Sequence, residues 1–126
     1  MKIPAIIFDD DNILPGLNSE DLSALGREDK PVLLKKGVIE RNLVRHPEVE
    51  KEDFGKLLAR ALYSPDIIVK EKVILGKGNY YHFVKYLRRG NAIALIELSK
   101  NKDTYQIVHL QKMNDKNLKR LLKKQK

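Results

Sequence analysis

The chain has 126 residues, 42% apolar and 6% aromatic, with no Trp and no Cys, so it can close one aliphatic core but has no disulfide, cysteine nucleophile or cysteine-based zinc site. Its net charge of +8 is uneven: residues 1–30 carry three basic against seven acidic groups (net −4), residues 31–111 fifteen against nine (+6), and residues 112–126 seven against one (+6). No apolar run reaches membrane-spanning length and Met1–Phe8 is too short for a signal-peptide core, so a cytoplasmic protein with a polyanion partner and no membrane contact is expected.

The acidic opening reads as an arm or linker, residues 1–30, distinct from a domain over 31–126. Asp9, Asp10 and Asp11 interrupt the apolar run Ile6–Phe8, and Leu14-Pro15-Gly16 is a turn signal. Asn18 or Ser19 caps a short helix over Glu20–Leu25, which Gly26 ends. Val32–Leu34 is a short strand or an extended lead-in. A helix follows over Lys36–Arg45 and stops at Pro47, because proline cannot continue the hydrogen-bonded ladder and pushes the residue before it out of the α region. A second helix starts near Lys51, with Phe54, Leu57, Leu58, Ala61 and Leu62 at helical spacing, and ends before Ser64-Pro65.

From Pro65 the period changes to two. Asp66–Lys70 and Lys72–Leu75 read as short strands, broken by Gly76-Lys77-Gly78. Asn79–Leu87 is an alternating strand, residues 88–91 a turn, Ala92–Leu98 a nearly all-apolar central strand, and Thr104–Gln111 the last strand. Asn114 caps a closing helix that carries Leu118, Leu121 and Leu122 beneath its lysines. Helices followed by strands predict an α+β fold, with N-terminal helices packed on a four-stranded antiparallel meander and a C-terminal helix.

The helix over Lys36–Arg45 carries the most chemistry. Arg41, Asn42, Arg45 and His46 gather on one side of it, since residues three or four apart share a helix face. On the strands, alternation places Tyr80, His82, Val84 and Tyr86 on one face, and Tyr105, Ile107, His109 and Gln111 on one face of the last strand. If Phe83, Leu87, Val108 and Leu110 face the core, His82 and His109 share an open, aromatic-lined face with Tyr80, Tyr86 and Gln111. Such a face suits bases that stack and phosphates that accept hydrogen bonds. Each histidine can also be a plain surface or core residue. No later residue completes Asp9–Asp11 as a metal site, the GKGN run at 76–79 is too short for a phosphate loop, and neither Ser23 nor Ser64 has a neighbouring base.

The motif I-E-R-N-x-x-x-H-P-E (Ile39–Glu48), followed by A-L-Y-x-P-D-I-I-V (Ala61–Val69), Tyr80-Tyr81 on a strand and Gln106-Ile107-Val108-His109 on the last strand, resembles the barnase–EndoU–colicin–RelE-like nuclease domains. The Leu14–Lys36 lead-in is similar to the linker that precedes them, so the resemblance runs from about Leu14 to Leu122. These domains commonly form the C-terminal part of MuF-type phage head or portal polypeptides and of polymorphic toxins. The resemblance implies a barnase/RelE-like fold and toxin-like, metal-independent RNA cleavage with no cofactor. An immunity protein or a phage structural protein is the implied partner, in the bacterial host cytoplasm or on the virion.

On this reading the chain is an endoribonuclease that promotes attack of the RNA's ribose 2′-hydroxyl on the adjacent phosphate, leaving a cyclic phosphate. His46 moves one proton and His82 or His109 the other, while Lys36, Arg41, Asn42, Arg45, Lys85 and Arg89 hold the phosphate. The alternative is a non-catalytic nucleic-acid- or protein-binding domain of a phage head or portal-associated protein.

Overall fold

The computed structural model describes residues 5–72 and 79–125. In chain order these form β1 (Asn12–Leu14), α1 (Ser19–Leu25), β2 (Val32–Leu34), α2 (Lys36–Arg45), α3 (Lys51–Tyr63), β3 (Ile67–Lys70), β4 (Tyr80–Tyr86), β5 (Asn91–Glu97), β6 (Tyr105–Met113) and α4 (Asp115–Lys124). The class is α+β, as the helix-then-strand pattern predicts, but the sheet is larger than a four-stranded meander. Its order is β1-β2-β6-β5-β4-β3. The antiparallel meander β3 to β6 is present inside it, and β2 joins β6 in parallel with β1 antiparallel outside it. The expected break at Gly76-Lys77-Gly78, and all but the first residue of the expected strand Lys72–Leu75, lie outside the described residues.

One face of the sheet carries the main core. On α3, Phe54, Leu57, Leu58, Ala61 and Leu62 are buried at the spacing that makes a single helical stripe. They meet Tyr81, Phe83, Ala92, Ala94, Ile96, Ile107 and Leu110 from the strands. The other face is not open as expected. Leu118, Leu121 and Leu122 of α4 pack over Val84, Ile93, Ile67 and Met113. With both faces covered, β5 is buried from Asn91 to Ile96, which is why its sequence is nearly all apolar instead of alternating.

The opening residues are also tied into the body, contrary to the expectation of a free arm. Leu14, Leu17 and Leu22 belong to the main core, so β1 and α1 contribute apolar burial that an arm would not. The Tyr63 hydroxyl donates to the Pro15 carbonyl at 2.6 Å. Buried Lys30 donates from Nζ to the carbonyls of Ser99, Lys100 and Lys102 at 3.0, 3.2 and 2.7 Å, with the Glu28 carboxylate 3.6 Å away. A buried ammonium is tolerated only when so satisfied, and here it holds the turn between β5 and β6. Asp11 accepts from the Lys36 backbone N–H at 2.8 Å and so caps α2 from a distance, since Lys35 at the N-cap makes no side-chain cap bond.

Strict alternation fails on β6. Ile96 pairs with Ile107 and Leu95 with His109, a register shift that leaves Val108 as an extra residue. A bulge of one residue reverses which side chains face which way. Ile107 and Leu110 therefore both enter the core, Val108 is expelled from it, and His109 faces the opposite side opposite Leu95. The expectation that Ile107 faces the same way as His109, and Val108 the same way as Leu110, is corrected by that single bulge.

Candidate nucleic-acid interface

Beyond its short pairing with β2, strand β6 has a free edge, and α2 lies along it. Buried Asn42 accepts the Leu110 backbone N–H through Oδ1 at 2.6 Å. Glu48, just past the helix, accepts the Lys112 N–H through Oε2 at 3.3 Å. Two side chains thus replace the missing neighbour strand, because unpaired strand amides near the core are costly. Asn42 is a clamp between helix and sheet, and its side chain is committed to the backbone instead of a phosphate.

This clamp sets the site. His46 caps α2, its backbone N–H donating to the Asn42 carbonyl at 2.8 Å. Its ring centroid lies 5.2 Å from that of His109, with the planes inclined by 33°. His46 Nδ1 is 3.2 Å from Glu48 Oε2; a carboxylate only accepts, so that nitrogen carries the hydrogen and Nε2 is left for a ligand. The two imidazoles open into a cleft of ≈ 190 Å³ walled by Val38, Arg41, Asn42, Arg45 and Val108. Arg41 and Arg45 are exposed. Burial, reinforced by the positive fields of His46 and His82 and opposed by Glu48, lowers the His109 pKa from 6.5 to about 4.

His82 stands apart from the cleft opening. It pairs with Leu95, which pairs with His109, so the two histidines share a row of one sheet face, about 10 Å apart at two strand spacings. His82 is 3% exposed, and its Nε2 lies 2.7 Å from buried Glu71 Oε1. Gln125, past the end of α4, donates to the same carboxylate oxygen at 3.2 Å and accepts the Lys72 N–H at 2.6 Å. His82 is thus on the expected face but under α4 and the Glu71 segment, not in an open concavity.

The proposed phosphate holders separate. Arg41 and Arg45 line the cleft with His46 and His109. Lys36 faces Glu40, 3.9 Å away on the next turn. Lys85 is on the other face of β4, 3.7 Å from Asp66. Arg89 is exposed in the hairpin between β4 and β5, outside the residues that line the cleft. Among the described residues no three His, Asp or Glu side chains form a metal-binding set, and no helix is long and apolar enough to cross a membrane.

Sequence reasoning overlooked Glu48, whose signal was its place two residues after His46, and Glu71, for which the strand pattern gave none. It also overlooked a second compartment of ≈ 280 Å³ that begins where the first ends. Lys35, Val38, Arg41, Tyr80, Glu97, Lys102, Gln106, Ile107 and Val108 line it. No curated protein and no solved structure matches the chain. The family model of large polyvalent protein-associated domain 13 matches residues 9–125, nearly all of the fold described above, and the chain belongs to this family of domains from phage-associated polyvalent proteins.

Proposed function

We propose that this domain is a toxin-like endoribonuclease that cleaves RNA without a metal ion, of the barnase/RelE-like kind. The observation that carries the reading is the His46–His109 ring pair at 5.2 Å in a cleft walled by Arg41 and Arg45. Two proton carriers beside two fixed cations match the needs of phosphodiester transesterification.

In this scheme neutral His109 takes the proton of the ribose 2′-hydroxyl, whose oxygen forms a new bond to phosphorus. The bond from phosphorus to the 5′-oxygen breaks, and that oxygen takes a proton from His46. The products are a 2′,3′-cyclic phosphate and a 5′-hydroxyl. Arg41 and Arg45 hold the charge of the pentacoordinate phosphate, and Glu48 orients the His46 ring. The low proton affinity of His109 keeps it unprotonated at neutral pH, at some cost in basicity. His82, about 10 Å from His109 along the same row, takes no proton in this scheme.

The test is digestion of total RNA by the purified domain in the presence of a chelator, with end-group analysis. His46→Ala and His109→Ala should each lower the rate by about 10²- to 10⁴-fold, the usual contribution of a positioned acid or base. Absence of cleavage by the folded wild-type domain, or cleavage that the chelator abolishes, would overturn the reading. An RNase confined to a phage-associated protein also calls for an inhibitor in the cell that makes it, and an immunity protein blocking this cleft is the partner expected.

A further inference from the structure

The two compartments of the interface share Val38, Arg41 and Val108, so they form one continuous groove between α2 and the bulge of β6. Along it, Lys35 at the N-cap of α2 and Arg41 line the second compartment, while Arg41 and Arg45, one turn apart, line the first. Arg45 lies about 6 Å of helical rise beyond Arg41, and Arg41 about 9 Å beyond Lys35. Among the described residues none of the three is ion-paired. These intervals are comparable with the separation of successive phosphates in an extended single strand. By contrast, Lys102 is held by Glu97 at 3.0 Å, so that end of the groove is nearly neutral.

Tyr80 stands at this neutral end. It is paired with Glu97 in the register; burial, reinforced by the Glu97 carboxylate, raises its pKa above the usual value of 10. The phenol is therefore neutral and half-buried, beside a carboxylate that is itself ion-paired. Gln106, opposite Glu97 in the register, adds an amide with both donor and acceptor capacity. A flat ring beside an amide, one step from a free guanidinium, is what a nucleobase needs: a stacking surface, an edge contact and a phosphate anchor. At ≈ 280 Å³ the compartment is the size of a single nucleoside.

We propose that this second compartment is a binding subsite for the nucleotide next to the scissile phosphate, and that the ligand of the groove is extended single-stranded RNA. Arg41 holds the intervening phosphate, Lys35 the following one, and Tyr80 stacks on the base between them. The assignment of the scissile phosphate to His46 and His109 rests on the reading above; the single-strand groove itself does not require that cleavage occur.

The experiment measures binding of a fluorescent, 2′-O-methyl single-stranded oligonucleotide, which cannot undergo transesterification, against a hairpin duplex of equal length. Tyr80→Ala should weaken single-strand binding by about five- to 150-fold, the range for losing one stacked base. Lys35→Glu and Arg41→Ala should weaken it and reduce the steepness of its salt dependence, by about 0.7 in log–log slope for the phosphate that Arg41 neutralises. Lys56→Ala, an equal loss of charge on exposed α3, should leave it unchanged. Lys35→Glu is wholly on the surface and stays informative should Tyr80→Ala fail to fold. Cleavage without metal, with single-strand binding indifferent to Tyr80, Arg41 and Lys35, would overturn the subsite and leave the nuclease reading intact. Binding that depends on those residues without cleavage would overturn the nuclease reading and keep the subsite. Preference for the duplex, or no RNA binding in the folded wild type, would overturn the subsite.

Discussion

His109 carries two roles that pull in opposite directions. Buried behind α2, it loses hydration and is disfavoured as a cation; beside His46, it shares a cleft that attracts anions. Its pKa is near 4 in the fold against about 6.5 for an unperturbed imidazole. Between those values the unfolded chain binds the proton and the folded one does not, so stability rises with pH. The contribution is fully present above about pH 6.5 and is lost as pH falls towards 4, amounting to up to roughly 3 kcal/mol from a shift of this size. Urea unfolding of wild type and His109→Gln between pH 4 and 7 should show a steeper acid loss in the wild type, and parallel curves would contradict it. The imidazole itself was legible in the sequence, as was the pairing of Arg41 with Arg45 and His46, because helical spacing is local. The contact of His46 with His109 was not, because it joins two elements separated by most of the chain.

At the scale of elements, the position of α2 is decided by few atoms. Asn42, 2% exposed, gives its Oδ1 to the Leu110 amide, while its Nδ2 is buried without a hydrogen-bond partner. Asn42→Ala should destabilise the fold by about 1–3 kcal/mol, the cost of leaving a buried amide unpaired, towards the lower end because the unpaired Nδ2 goes too. It should also lower RNA cleavage more than stability alone explains, since the edge of β6 and the end of α2 would no longer be held together. Chemical denaturation and initial rates on the same preparation check both. The helices α2 and α3 were legible from period and from Pro47 and Ser64-Pro65. The bulge at Val108 was not read, although the run Gln106–Gln111 breaks its alternation at the apolar pair Ile107-Val108; packing Ile107 and Leu110 in one core is what forces the extra residue out. Val32–Leu34, read as a short strand or an extended lead-in, is strand β2, but β1 and its pairing with β2 escaped. Three-residue strands carry too little pattern to separate from an acidic linker, and Lys30 reads as a surface charge until its three carbonyl partners are seen.

Across the whole molecule the basic excess lies in the body and the closing helix. Helix α4 covers the side of the sheet on which His82 and His109 lie, and Gln125 beyond its end touches Glu71 under His82. The leucines of α4 pack inward, and Lys119, Lys123 and Lys124 are exposed. If the domain binds RNA as proposed, α4 offers it further cations, contributed by a tail whose net charge is +6. The acidic opening does not compete freely for that surface, because Asp11 is engaged by the Lys36 amide and Asn12 holds Ile7 through paired bonds of 2.9 and 2.8 Å. Removing residues 1–12 would therefore strip the cap of α2 as well as negative charge, and would not isolate the electrostatic effect. Reversal at Lys119, Lys123 and Lys124 isolates it better, since none of the three belongs to the core. For single-stranded RNA each neutralised phosphate contributes about −0.7 to the slope of log affinity against log salt. The triple Glu variant should retain wild-type unfolding behaviour, bind single-stranded RNA more weakly at low salt, and show a slope shallower by about 1–2. Equal slopes for variant and wild type would confine RNA contact to the α2 groove and leave the basic face of α4 as solvated surface.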